Sequence, residues 1–123
     1  MFVAPDKKDA IFFDVDSTLV EWVHCSFVDE RKDVGMNLQP GSGHLHFPIV
    51  EHIEELKKLK AEGNTIMVWS QGGSEWAGEV VRALGLEEFV DVCLTKPHEY
   101  FDDLLASDWM PTRSFLGPLR LKG

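Results

Sequence analysis

Cysteine is nearly absent. The chain carries two, Cys25 and Cys93, among 123 residues. Their separation fits neither a CxxC pair nor a zinc spacing, so two reduced, partly buried thiols are expected over a disulfide. Positive charge is scarce as well: 12 Lys and Arg stand against 21 Asp and Glu, for a formal net charge of -9. No Lys/Arg cluster supplies the basic face that phosphate-backbone binding needs, which disfavours nucleic acid as a partner without excluding a phosphorylated end. Long apolar runs are missing too. None approaches the roughly 20 residues that cross a membrane. The stretch after Met1, "FVAPDKKDA", is mixed and charged rather than the apolar core of a secretion signal, and the expected compartment is the cytoplasm. What is present, 44% hydrophobic and 11% aromatic residues, is enough for one folded domain with a real core.

Hydrophobic patterning divides the chain into alternating elements. Ala10, Ile11, Phe12 and Phe13 read as a strand buried on both faces, ending in Asp14 and Asp16 with Ser17 and Thr18 behind. Residues 19–45 read as an irregular insertion, with a short strand over Val23 to Val28, a charged turn "DERKD" and a loop "QPGSGH". A helix follows over "FPIVEHIEELKKLKAEGN": Pro48 suits its first turn, Gly63 and Asn64 its stop, and Ile49, Ile53, Leu56 and Leu59 form one apolar face. Its acids lead and its lysines follow, which suits the helix dipole and allows Glu54–Lys58 pairing. "TIMVWS" is a second strand, "QGGS" a turn with Ser74 as a helix cap, and "EWAGEVVRALG" a second helix with Trp76, Val80, Ala83 and Leu84 on one side. "VDVCLT" is a third strand and "EYF" a short fourth, running into Asp102 and Asp103. The tail, 104–123, is expected to pack on the body.

Strands alternating with amphipathic helices predict an α/β fold, a three-layer α/β/α arrangement around a small parallel, Rossmann-like sheet. Ligands of such sheets bind beyond the carboxyl ends of the strands. Those ends carry Asp14 and Asp16, Ser70, Lys96, and Asp102 with Asp103. Two anions as close as Asp14 and Asp16 repel unless a cation or a reaction uses them. A phosphate monoester with Mg²⁺ would use the whole set. Carboxylates hold the hard cation. One ionised carboxylate attacks phosphorus and a second carboxyl handles the proton. A hydroxyl and a lysine hold the equatorial oxygens.

"DVDST", "IMVWS", "TKP" and "YFDD", in that order over roughly residues 10 to 105, resemble the four motifs of the haloacid dehalogenase-like superfamily. The resemblance implies Asp14 as nucleophile and Asp16 as general acid/base. It implies Ser70 and Lys96 as holders of the phosphoryl group, and an Mg²⁺ site of Asp14, the Asp16 backbone carbonyl, Asp102 and Asp103. Within that family an acid at the Asp16 position marks phosphatases and phosphotransferases, so the resemblance implies one of these. Ser17 stands where glycine is usual, so a φ tolerated only by glycine would be strained there. Five residues separate Lys96 from Asp102, so either the fourth strand is very short or Lys96 leaves its strand low and its side chain reaches up. The insertion over 19–45 and the one after Ser70 are each too short for a folded cap domain. The resemblance therefore implies a cap-free member, one domain over 1–123, with an open site and a short flap, acting on a phosphorylated small molecule or macromolecular end.

Blander roles compete for several residues. Trp69 and Trp76 read as packing, whereas for Trp22 in the flap packing and substrate contact are evenly balanced. His24, His44, His46 and His52 lack partners at zinc spacing and read as surface or flap histidines. His98 is a candidate neighbour of the Lys96 site. Two other function classes compete with a phosphatase: a receiver-like phospho-acceptor switch, for which Asp91 is the acid on offer at the wrong end of its strand, and a catalytically degenerate binding subunit.

Overall fold

A computed structural model of the chain describes residues 9–27 and 35–116. Five strands and three helices follow one another: β1 (Ala10–Asp14), β2 (Val20–His24), β3 (His44–Pro48), α1 (Val50–Ala61), β4 (Thr65–Ser70), α2 (Ser74–Ala83), β5 (Val92–Thr95) and the single-turn α3 (Ala106–Trp109). β1, β4 and β5 form a parallel sheet in the order β1-β4-β5. Asp14 lies beside Trp69, and Ser70 beside Thr95. β2 and β3 form a separate antiparallel hairpin that starts directly after the β1 turn.

The sheet advances one strand at a time in one direction, through α1 and then α2. Two right-handed crossovers in the same direction put both helices on the same face. Burial agrees with this. Phe13, Ile66 and Val68 share one core cluster with Ile53 and Leu56 of α1 and Ala77, Val80 and Val81 of α2. Their neighbours along the strands, Phe12, Met67 and Trp69, are half-buried, and Phe12 and Trp69 stack on each other at 4.2 Å. The expectation that β1 is buried on both faces is therefore corrected. Only one of its faces meets a helix among the described residues, and β1 has a strand partner on one side only.

Several element ends also move. Pro48 closes β3 instead of opening α1, whose cap is Ile49. Gly73, at φ 107, caps α2 in place of Ser74, whose N–H bonds the Thr95 hydroxyl at 3.1 Å. Lys57 rather than Lys58 approaches Glu54, at 3.9 Å. On α2, Ala83 is exposed and Ala77 and Val81 take the buried places beside Val80. The insertion is more regular than expected. Its strand runs from Val20 to His24 rather than from Val23, and β3 pairs with it. Val28 and the "DERKD" turn lie outside the described residues.

No strand forms over "EYF". Residues 99–101 are irregular and exposed, and local bonds occupy the segment: the Leu104 N–H reaches Asp102 Oδ1 at 3.0 Å, and the Ala106 N–H reaches the Tyr100 hydroxyl at 3.0 Å. The chain then returns to α1, where the Leu116 N–H bonds His52 Nε2 at 2.7 Å and Phe115 meets the same ring at 4.8 Å. The described part of the tail thus does contact the body. Cys25 and Cys93 are free thiols. Among the described residues, no helix is long and apolar enough to cross a membrane.

Candidate active site

β1 delivers Asp14 as its last residue, and the chain turns at once. One acceptor holds the turn: the Val15 carbonyl receives the N–H groups of Thr18 (3.2 Å), Leu19 (2.9 Å) and Val20 (3.1 Å). Val15, Leu19 and Val20 are wholly buried. These apolar anchors pin a loop whose polar residues, Asp14, Asp16, Ser17 and Thr18, keep access to solvent. Ser17 takes φ 65, the left-handed region that its substitution for glycine put in question. A non-glycine residue there costs about 1–2 kcal/mol.

Three donors face the Asp14 carboxylate: the Lys96 ammonium at 4.0 Å, the Val15 N–H and the Thr18 hydroxyl. Burial pushes its pKa above the ordinary value and Asp16 pushes the same way, while Lys96 and the two hydrogen bonds oppose them. Lys96 reaches this place because the Lys96 N–H bonds the Ser70 carbonyl at 2.8 Å, one step beyond the last pair of β4 and β5. It leaves the sheet at the rim, beside Asp14, and its ammonium lies 5.9 Å from the Trp69 ring.

Ser70 ends β4 beside Thr95, at the same rim, and is 1% exposed. Its Oγ accepts the Gly72 N–H at 2.9 Å and keeps its own proton to donate. Gly72 is needed at that point. A Cβ there would lie 3.1 Å from Trp76 Cδ1 and 3.3 Å from Ser70 Oγ. Without one, the turn can press against both.

Asp16 accepts a hydrogen bond at Oδ2 from the Trp76 indole N–H, at 3.3 Å. Behind Trp76 lies His46, 1% exposed, with ring centroids 5.3 Å apart. Burial pushes the His46 pKa down, the Asp16 carboxylate pulls it back up, and His44 adds to the depression. His46 Nδ1 is buried with no hydrogen-bond partner among the described residues. A second buried histidine, His52, ties two distant segments together. It bonds the Thr18 carbonyl through Nδ1 at 2.8 Å and accepts the Leu116 N–H through Nε2. The reading of His46 and His52 as surface or flap groups is thereby corrected in part, since both are buried although His46 does lie on the hairpin, and Trp76 is a hydrogen-bond donor to Asp16 as well as packing.

Asp14, Asp16, Ser70 and Lys96 are thus gathered at one rim of the sheet. Asp102 and Asp103 are exposed on the segment after Lys96, where Asp102 closes its local turn. Among the described residues, no three His, Cys, Asp or Glu side chains gather at metal-binding distance. His98 is exposed. The donor set that is gathered suits a hard cation all the same, since Mg²⁺ commonly takes one or two carboxylates and completes its shell with water and substrate phosphate. No family model, curated protein or solved structure matches this chain.

Proposed function

We propose that the chain is a Mg²⁺-dependent phosphomonoesterase of the haloacid dehalogenase-like type, working through an aspartyl-phosphate on Asp14. In this reading the parallel sheet belongs to a single Rossmann-like, three-layer α/β/α domain over 1–123 without a cap, and the β2–β3 hairpin is its flap. The observation that carries it is the pairing of Asp14 with Lys96 at 4.0 Å, beside Asp16, at the carboxyl rim of three parallel strands. A carboxylate nucleophile, a second carboxyl two residues on and a lysine from another strand are what phosphoryl transfer needs, and the four motifs place the same residues in the same roles.

The steps follow from these side chains. A carboxylate oxygen of Asp14 attacks phosphorus and the ester P–O bond breaks. The leaving oxygen takes the proton of the Asp16 carboxyl. Asp16 then takes a proton from water as that water attacks phosphorus, and the P–O bond to Asp14 breaks to release inorganic phosphate. The Trp76 N–H on Oδ2 fixes which Asp16 oxygen is left to carry the proton. Lys96 and the Ser70 hydroxyl offset the charge on the phosphoryl oxygens. Mg²⁺, held by Asp14 and the Asp16 backbone carbonyl, would neutralise the remaining phosphate charge.

Asp91 argues against a receiver-type switch. It sits at the opposite end of the sheet, bonded to Lys60 at 2.7 and 2.9 Å and to the Ile66 N–H at 2.8 Å. The Lys60 hydrogen bond holds its pKa below the ordinary value. It is engaged in holding α1 to β4. Turnover of an aryl phosphate with Mg²⁺ separates the readings: an esterase cycles, an acceptor switch labels once, and a binding subunit does neither.

A further inference from the structure

The hairpin presents one face with an unusual run of rings. The β2–β3 register puts Val20, Trp22 and His24 on that face, opposite Pro48, His46 and His44 respectively. At its inner end Val20 and His46 are buried. At its outer end Trp22 is 51% exposed, His24 is exposed and His44 is half-buried. The rings touch in sequence: Trp22 meets His44 at 4.6 Å and His24 meets His44 at 5.4 Å, both edge to face. The run begins at the catalytic carboxylates, because His46, directly across from Trp22, packs on the Trp76 that donates to Asp16. The contacts lead from Asp16 through Trp76 and His46 to Trp22, the exposed aromatic surface on the same hairpin.

We propose that the substrate is a nucleoside monophosphate, its base stacked on Trp22 with a polar edge toward His44; this rests on the phosphomonoesterase reading. Three features select that chemistry. Trp22 offers a π-face on which any base can stack. The His44 ring nitrogens make no hydrogen bond to another described residue, and imidazole can both donate and accept, which suits a heteroaromatic edge rather than a hydrocarbon ring. The net charge of -9 favours a mononucleotide over a polyanionic strand.

The test compares adenosine 5′-monophosphate, ribose 5-phosphate and a 5′-phosphorylated oligonucleotide on the wild type, Trp22→Ala and Trp22→Phe, with calorimetric binding of the first two to Asp14→Asn protein. Trp22→Ala should lower kcat/KM for the nucleotide by about 5- to 150-fold, the range of a base–aromatic stack. It should lower that for ribose 5-phosphate far less, and Trp22→Phe should keep most of the activity. Equal wild-type kcat/KM for nucleotide and ribose 5-phosphate, or equal losses on Trp22→Ala, would overturn the base contact and leave the esterase reading standing. A higher kcat/KM for the oligonucleotide would overturn the mononucleotide assignment. Base-dependent binding that needs Trp22, without turnover of any ester, would uphold the base contact and overturn the esterase reading.

Discussion

The indole N–H of Trp76 donates to Asp16 Oδ2 across 3.3 Å, joining α2 to the loop that follows β1. One carboxylate oxygen is thereby held by a neutral donor, which leaves the other free to carry and return a proton. α2 can present Trp76 in its first turn because Gly72 removes the Cβ that would crowd both Trp76 and Ser70.

Trp76→Phe keeps the ring and deletes the donor. With a poor leaving group, which needs a proton in the transition state, kcat should fall by roughly tenfold, the scale of one hydrogen bond to a charged group. With a good leaving group the loss should be small and KM unchanged. Equal losses for both would mean that Trp76 only packs.

Metal-free Asp14→Asn protein should melt above the wild type at pH 7. Burial raises the folded-state pKa of Asp14 above 3.8, so the ionised carboxylate destabilises the folded state. That cost is fully present above the folded pKa and disappears as pH falls below the unfolded value. The gap between variant and wild type should therefore narrow on acidification from neutral pH toward 3.8. A gap independent of pH would contradict the burial argument.

His52 connects the loop after β1 to the segment at Leu116. His52→Ala removes a bond to the Thr18 carbonyl and one to the Leu116 N–H, and stability should fall by about 1–3 kcal/mol. Because the Thr18 side chain also helps to hold the Asp14 pKa down, kcat should fall with it. Deletion of the chain from Arg113 onward should cost less stability and leave kcat nearer to the wild-type value, since the Thr18 bond survives.

Much of this arrangement was legible in the residues themselves. The apolar runs before Asp14 and Ser70 could be little other than strands, and the spacing of Ile49, Ile53, Leu56 and Leu59 wrote out α1. The hairpin was hidden because β3 reads "HLHFP": its two buried residues, His46 and Phe47, are adjacent and lie on opposite faces, so no period-two alternation marks the strand. "EYF" has aromatic strand propensity, but a strand needs a partner, and the Tyr100 hydroxyl and the Asp102 carboxylate make local bonds instead. The roles of His46 and His52 depend on Trp76, Thr18 and Leu116, which approach them from distant parts of the chain. No local pattern could announce them.

Thermal melting with and without Mg²⁺ should sort the acids. Mg²⁺ held at Asp14 in the folded state should raise the wild-type midpoint by mass action. Asp14→Asn should abolish the rise. Asp102→Asn should leave it nearly intact, since Asp102 closes its own turn and stands outside the gathered group. Loss of the rise in Asp102→Asn would show that the 99–105 segment moves to the rim when Mg²⁺ binds, completing the four-acid set that the motifs imply.

The central claim is that Asp14 is phosphorylated, and intact-protein mass spectrometry of Asp16→Asn, quenched in acid after mixing with Mg²⁺ and an aryl phosphate of good leaving ability, tests it most directly. The account predicts an adduct of one phosphoryl group that maps to the peptide containing Asp14, persists because the second proton transfer has been removed, and is absent from Asp14→Asn. An unmodified Asp16→Asn protein that still releases phosphate, or an adduct on any residue other than Asp14, would contradict it.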